Sequence, residues 1–363
     1  MLENIDQRRR RFLGGTAMTL VGARLGILGA VIGPPACDSP RLRVEGELPS
    51  LDAATHWLNS EPLRAAELRG KVVLIDFCTY SCINWIRTLP YVRIWAQKYK
   101  ADGLVVIGIH TPEFPFEKDV DNVRDAVKRM GVTFPLALDN DRAIWQAFGN
   151  EYWPALYFVD ARGRIRHHYF GEGDYEQSET VIQQLLAEAG NSGARRGLVS
   201  VEGTGAEAEA DWGSLKSPEN YLGYARTQSF ASPGGAAIEQ PRRYSAPVQL
   251  RRNQWALAGN WTVRQGDILL NENKGRITYG FHARDLNVVM GPSARGVSQR
   301  FRVLIDGESP GRAHGIDVDG DGNGTLNEQR MYQLIRQQNP INDRKFEIAF
   351  LDAGVQAFSF TFG

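Results

Sequence analysis

The chain has 363 residues, with 42 Lys and Arg against 42 Asp and Glu, 42% hydrophobic and 23% charged residues, and three cysteines. Balanced charge excludes the basic footprint of a nucleic-acid-binding protein, and three cysteines exclude a disulfide framework as the support of the fold. The length is that of two ordinary domains, each able to bury a core of its own.

Residues 7–13 read QRRRRFL and lead into the mostly apolar GGTAMTLVGARLGILGAVIG. A basic stretch followed by an apolar one is the layout of an export signal, and Arg9-Arg10-x-Phe12-Leu13 resembles the twin-arginine type. Arg24 and the glycines interrupt the apolar run, so no stable membrane span is expected in the mature chain. Residues 1–37 are assigned to this segment. Cys37 is a weak candidate for lipidation, because two prolines stand where such a site takes branched aliphatics. The expected location is the periplasm or another extracytoplasmic, oxidising compartment.

Residues 46–190 alternate strand and helix patterns. VVLIDF (72–77) and LVVIGI (104–109) are continuous apolar runs, as in strands buried on both faces. The intervening CINWIRTLPYVRIWAQKYK predicts a helix with Ile83, Ile86, Tyr91, Ile94 and Trp95 on its apolar face. DVDNVRDAVKRMG predicts a second helix, stopped at Gly131. ALYFVDARGRIRHHYF predicts two antiparallel strands about an ARG turn, and ETVIQQLLAEAG a closing helix. The expectation is an α/β domain, a mixed sheet flanked by helices.

Residues 191–211 are rich in Gly, Ala and Glu without sustained periodicity and read as a linker. Residues 212–363 show strand-like alternation in RITYGF, RFRVLI, KFEIAF and AFSFTF, which predicts an all-β sandwich or jelly-roll. EQRMYQLIRQ carries the one helical signal there. Trp212, Tyr221, Trp255 and Trp261 are candidate exposed aromatics for a glycan, with docking against the first domain or a partner protein the competing use. DVDGDGNGTLNE (317–328) matches the start of a calcium loop, but Arg330 stands where the bidentate Glu should be, so a turn is expected. His167 and His168 point to opposite faces of a strand and support no metal site.

The chemistry gathers at DFCTYSCINW (76–85). Cys82 falls where a strand turns into a helix N-terminus. Unpaired amides and the helix dipole stabilise a thiolate there, so its pKa is expected below that of a free cysteine. The position three later is Trp85, so the C-x-x-C pair of a dithiol site is absent. Cys78 lies on the other side of Cys82, at the strand end. His110, Thr111 and Glu113 end the neighbouring strand and are expected to flank Cys82, where an imidazole or a carboxylate can tune the thiolate.

With Asp76 six residues before Cys82, Pro90 eight after it, and Trp153-Pro154 opening ALYFVD, the sequence resembles the TlpA/DipZ branch of the thioredoxin superfamily. AAELRGKVVLIDF, GLVVIGIHTPEFPFEKDVDNV and the final QAFSFTFG carry the likeness over residues 46–363. The resemblance implies a thioredoxin-like domain followed by a β-sandwich similar to carbohydrate-binding modules. It implies that Cys82 is the attacking nucleophile, Asp76 the buried carboxylate and Pro154 the substrate-facing loop. Tyr80, Trp85 and Trp153 are candidate binding residues beside Cys82. The pattern W-T-Y-S-C-I-N-C is broken twice, at Cys78 and at Trp85.

An indole cannot attack sulfur, so a dithiol cycle between positions 82 and 85 is excluded. Cys82 working alone with an external thiol, or as a one-cysteine peroxidase, is one reading; Cys78 as a displaced resolving cysteine is a second. In the third, catalysis is lost and Trp85 offers an aromatic binding surface. The expected partners are protein thiols and disulfides or a small thiol reductant. No metal or cofactor is called for.

Overall fold

The computed structural model describes residues 42–191, 193 and 197–363; the stretch read as an export signal and Cys37 lie outside them. Seven strands form the first sheet: β1 (Gly46–Glu47), β2 (His56–Leu58), β3 (Val72–Cys78), β4 (Leu104–His110), β5 (Leu136–Leu138), β6 (Ala155–Val159) and β7 (Arg164–Phe170), in the order β1-β7-β6-β3-β4-β5-β2. β3, β4 and β5 are parallel, whereas β6 and β7 run antiparallel to their neighbours beside β3, so the sheet is mixed. Its helices are α1 (Ile83–Lys98), α2 (Val120–Arg129), α3 (Ala143–Ala147) and α4 (Tyr175–Glu188).

All seven residues of β3 are buried. Alternate side chains enter two cores: Val72, Leu74 and Cys78 pack toward α1 and α4, while Val73, Ile75 and Phe77 pack toward α3. That two-sided burial is why VVLIDF shows no alternation. Pro90 lies inside α1.

The second region is antiparallel throughout its strand pairs: β8 (Asn220–Tyr221), β9 (Pro241–Tyr244), β10 (Trp255–Val263), β11 (Ile268–Leu270), β12 (Arg276–Phe281), β13 (Asp285–Pro292), β14 (Gln299–Ile305), β15 (Asn323–Leu326), β16 (Arg330–Arg336), β17 (Arg344–Phe350) and β18 (Val355–Phe362). They follow the path β15-β14-β17-β12-β10-β11-β18-β13-β16, with β8 on β18 and β9 on β10. Strand β10 joins two faces. Trp255–Ala258 pair with β12 and Trp261–Val263 with β11, and Gly259, at φ 98°, lies between. One core fills the space between, with Ile277, Tyr279 and Phe281 from one side and Phe360 and Phe362 from the other.

The helical expectation for EQRMYQLIRQ is overturned, since Arg330–Arg336 is strand β16. Its residues 331–335 are all buried, which erases the alternation that marks a half-exposed strand. Trp255 and Trp261 are core residues rather than exposed ligand platforms, and Trp212 is exposed. Asp319 accepts from the backbone N–H of Asn323 at 2.8 Å within its own turn, and Arg330 pairs with Asp317 at 2.6 Å.

Leu42–Gly363 forms one compact unit. Val289, Met331 and Phe358 of the β region belong to the same core as Tyr80, Ile83, Phe114 and Phe116. Phe358 meets Phe116 at 4.8 Å and Phe114 at 5.3 Å between ring centroids. Arg87 of α1 forms a buried pair with Glu172 at 3.0 Å and also donates to the Phe362 carbonyl. Glu207, in the stretch read as a linker, is held as well: Arg93 of α1 reaches both its carboxylate oxygens at 2.8 Å.

Candidate thiol site

β3 ends at Cys78. The turn Thr79–Ser81 follows, and Cys82 is the N-cap of α1, with φ −77° and ψ 116°. Cys82 is half-buried and its thiol faces the Trp153 carbonyl at 3.9 Å. The Trp153–Pro154 peptide is cis. The indole of Trp153 donates to the Thr111 carbonyl at 3.1 Å and packs on Trp145 at 4.4 Å, which fixes the wall beside the sulfur.

Trp85 does not offer an aromatic surface. It is 2% exposed, and its indole N–H donates to Asp76 Oδ2 at 2.9 Å. The side chain standing where a dithiol site has its second cysteine therefore serves the buried carboxylate. Burial pushes the Asp76 carboxyl up to about 7, and the Trp85 hydrogen bond opposes the rise. Its other oxygen lacks a hydrogen-bond partner.

The expected lowering of the Cys82 pKa is overturned. Burial, then the Glu113 carboxylate, pushes the thiol up; the Trp85 and Asn84 amides at the helix start pull it down, and Glu219 adds to the rise. The helix N-terminus acts in the expected direction, but desolvation outweighs it. Cys78 is fully buried, and burial followed by Asp76, Glu117 and Cys82 pushes its thiol well above the ordinary value. Both cysteines are free thiols.

Of the three residues expected to flank Cys82 at the end of β4, Glu113 alone is a charge that acts on the thiol. His110 is buried, pairs with Cys78 in the strand register, and stacks on Tyr80 at 5.7 Å. Burial pushes its imidazole down to about 3, so it is neutral, and neither ring nitrogen bonds another residue. Tyr80 is also interior, with its hydroxyl donating to the Gln329 carbonyl at 3.3 Å. Thr111 donates to Asp139 at 3.1 Å. The Glu113 carboxylate raises the Cys82 thiol through its charge.

Sequence reasoning missed Glu117. This fully buried carboxylate accepts from Ser81 N–H at 3.3 Å and Ser81 Oγ–H at 2.5 Å, and from the N–H groups of Glu113 and Phe114 at 2.7 and 2.9 Å. One side chain thus binds the turn that precedes Cys82 to the loop that carries Glu113. The signal was available in Phe114-Pro115-Phe116-Glu117, whose spacing is that of a helical turn closed by its own Glu. Tyr221 and Arg226 were missed as site residues too; they reach Glu113 from the β region.

The AhpC/TSA family model matches residues 44–168, and a model described as the thioredoxin-like C-terminal domain matches residues 217–363. Protein DipZ of Mycobacterium tuberculosis is 41% identical over 328 residues, which cover 88% of this chain and 43% of DipZ. The chain thus spans less than half the length of that relative. The thiol-disulfide oxidoreductase YkuV of Bacillus subtilis is 31% identical over 147 residues, 40% of this chain and 99% of YkuV. Among solved structures, a thioredoxin-like protein in the oxidized form is 32% identical over 39% of this chain and 96% of its own, with a TM-score of 0.37.

Proposed function

The chain belongs to the thioredoxin-like thiol–disulfide oxidoreductase family, in a two-domain layout shared with part of DipZ, and we propose that it exchanges disulfides through one cysteine, Cys82. The observation that carries this reading is the pair of placements at the start of α1. A half-buried thiol caps the helix beside a cis-proline wall, and a buried tryptophan fills the place from which a second thiol would resolve it.

The reaction balances without a second protein thiol. The Cys82 thiolate attacks a disulfide R–S–S–R′, a Cys82–S–S–R bond forms, and R′–S⁻ leaves. An external thiol then attacks the R sulfur and releases Cys82. The protein gains and loses no electrons overall, so it exchanges or transfers disulfides, and any net reduction comes from the external thiol. A thiol held above its usual pKa is seldom ionised at neutral pH but is a strong nucleophile when it is. It is also a poor leaving group, so the mixed disulfide is long-lived.

The exported location is part of the proposal. It rests on the basic and apolar stretch of residues 7–33, and no helix among the described residues is long and apolar enough to cross a membrane. The test is exchange between glutathione disulfide and a second thiol, followed by release of the product. Catalysis is expected to vanish in Cys82→Ser and to persist in Cys78→Ser. Equal activity in wild type and Cys82→Ser would remove the proposal. The upward push on both thiols favours the second reading, a binding protein that keeps the fold, and that same result would support it.

A further inference from the structure

We propose that the C-terminal β region is a working part of the thiol site: Tyr221 and Arg226 act through Glu113 to position the carboxylate whose charge acts on Cys82. The inference rests on the exchange reading above.

The Glu113 loop is held from two sides. On the thioredoxin side, Glu117 accepts both the Glu113 and the Phe114 backbone N–H groups. On the β side, the Tyr221 hydroxyl donates a hydrogen bond to Glu113 Oε1, and Arg226 reaches the same oxygen at 3.3 Å. Tyr221 is itself fixed, paired with Ser359 of β18, while the Arg226 guanidinium covers its ring at 3.3 Å. The Glu113 side chain is only 9% exposed. The carboxylate is thus anchored at both backbone and head, and the Glu117 that holds its backbone also holds Ser81, the neighbour of Cys82.

The groups that act on the Cys82 thiol are Glu113, Glu219 from the approach to β8, the Cys78 thiol, and the amides of Asn84 and Trp85, with the Trp153 carbonyl 3.9 Å from the sulfur. The two carboxylates disfavour the thiolate and the amides favour it. Tyr221 and Arg226 draw on the Glu113 charge and so moderate its effect on the sulfur. Tyr221 is a positioning residue, and the reacting group remains Cys82. The second domain thereby sets how much thiolate the first presents.

Iodoacetamide labelling of Cys82, followed by peptide mass spectrometry on the full chain between pH 7 and 9, tests this. In that range the rate tracks the thiolate fraction. Tyr221→Phe keeps the ring and removes the donor, and it is expected to slow labelling about threefold at every pH, a displacement of about half a pH unit. Glu113→Gln is expected to speed labelling by a similar factor. The double variant should coincide with Glu113→Gln alone, because the tyrosine acts only through that carboxylate. A Tyr221→Phe effect of unchanged size in the Glu113→Gln background overturns the proposal, as does no effect in Tyr221→Phe. If near-UV circular dichroism shows that Tyr221→Phe has lost its packing, Arg226→Gln, at a half-exposed side chain, carries the same prediction and the same refutation. Disulfide turnover is read separately. A chain that labels as described but exchanges nothing removes the exchange reading alone.

Discussion

Asp76→Asn isolates the cost of keeping a buried carboxylate beside helix α1. Asp76 is fully buried, has one hydrogen bond, from Trp85, and is pushed from an ordinary 3.8 to about 7. The folded state therefore holds a proton that the unfolded chain gives up near pH 4. As pH rises from 4 to 7 the unfolded state binds fewer protons than the folded one, so this group's contribution to stability falls across that window and is flat above it. At about 1.4 kcal/mol per pH unit, the interval from 3.8 to about 7 is worth about 4 kcal/mol. Asparagine cannot ionise, and its carbonyl can still accept from the Trp85 indole. Urea unfolding of the reduced full chain at pH 5, 6, 7 and 8 should show wild-type stability falling relative to the variant up to pH 7. The variant should then be the more stable at pH 8, by up to that amount less any misfit of the new amide. Parallel stability curves for the two proteins between pH 5 and 7 would refute the reasoning.

Three further outcomes follow from the same geometry. Trp85→Cys rebuilds the C-x-x-C spacing. It should gain a disulfide between Cys82 and the introduced thiol under oxidation, seen as a loss of two hydrogens by intact mass, at a cost of about 3–5 kcal/mol for the emptied indole site. Phe358→Ala removes the ring that meets Phe114 and Phe116. It should cost about 3–5 kcal/mol in chemical denaturation and, by loosening the core against which Cys82 packs, speed its alkylation. Glu117→Gln cannot accept from all four donors, so it should cost about 1–3 kcal/mol and slow exchange at Cys82, measured by urea melts and turnover.

Much of the first domain was legible because its signals are local. The two-sided strand VVLIDF, the helix that begins at Cys82, and the proline of the Trp153 wall each declare themselves within a few residues. The absence of a second cysteine at position 85 was equally plain, and so was the exclusion of a cycle between those two positions. What the sequence hid lies across long separations. Phe358 and Tyr221 are far from Cys82 in the chain, yet they share the core against which it packs. A local reading sees the amides at the helix start, which favour a thiolate, and misses the burial and the carboxylate that oppose it. Trp85 was misjudged for a related reason: a tryptophan next to a reactive thiol reads as a contact surface until its indole is seen to donate to Asp76. Strand β16 failed differently, since a strand buried on both faces carries no period of two.

The central claim is that Cys82 acts without a partner thiol in its own chain. The most direct measurement loads Cys82 with glutathione, removes the excess, and follows intact mass with no thiol added. A site with Trp85 in the resolving place and Cys78 buried in the core should keep its adduct for hours and release it only when an external thiol is supplied. Spontaneous loss of glutathione, leaving a protein two hydrogens lighter with a Cys78–Cys82 bond, would contradict the claim and make this a dithiol enzyme with its second cysteine on the strand.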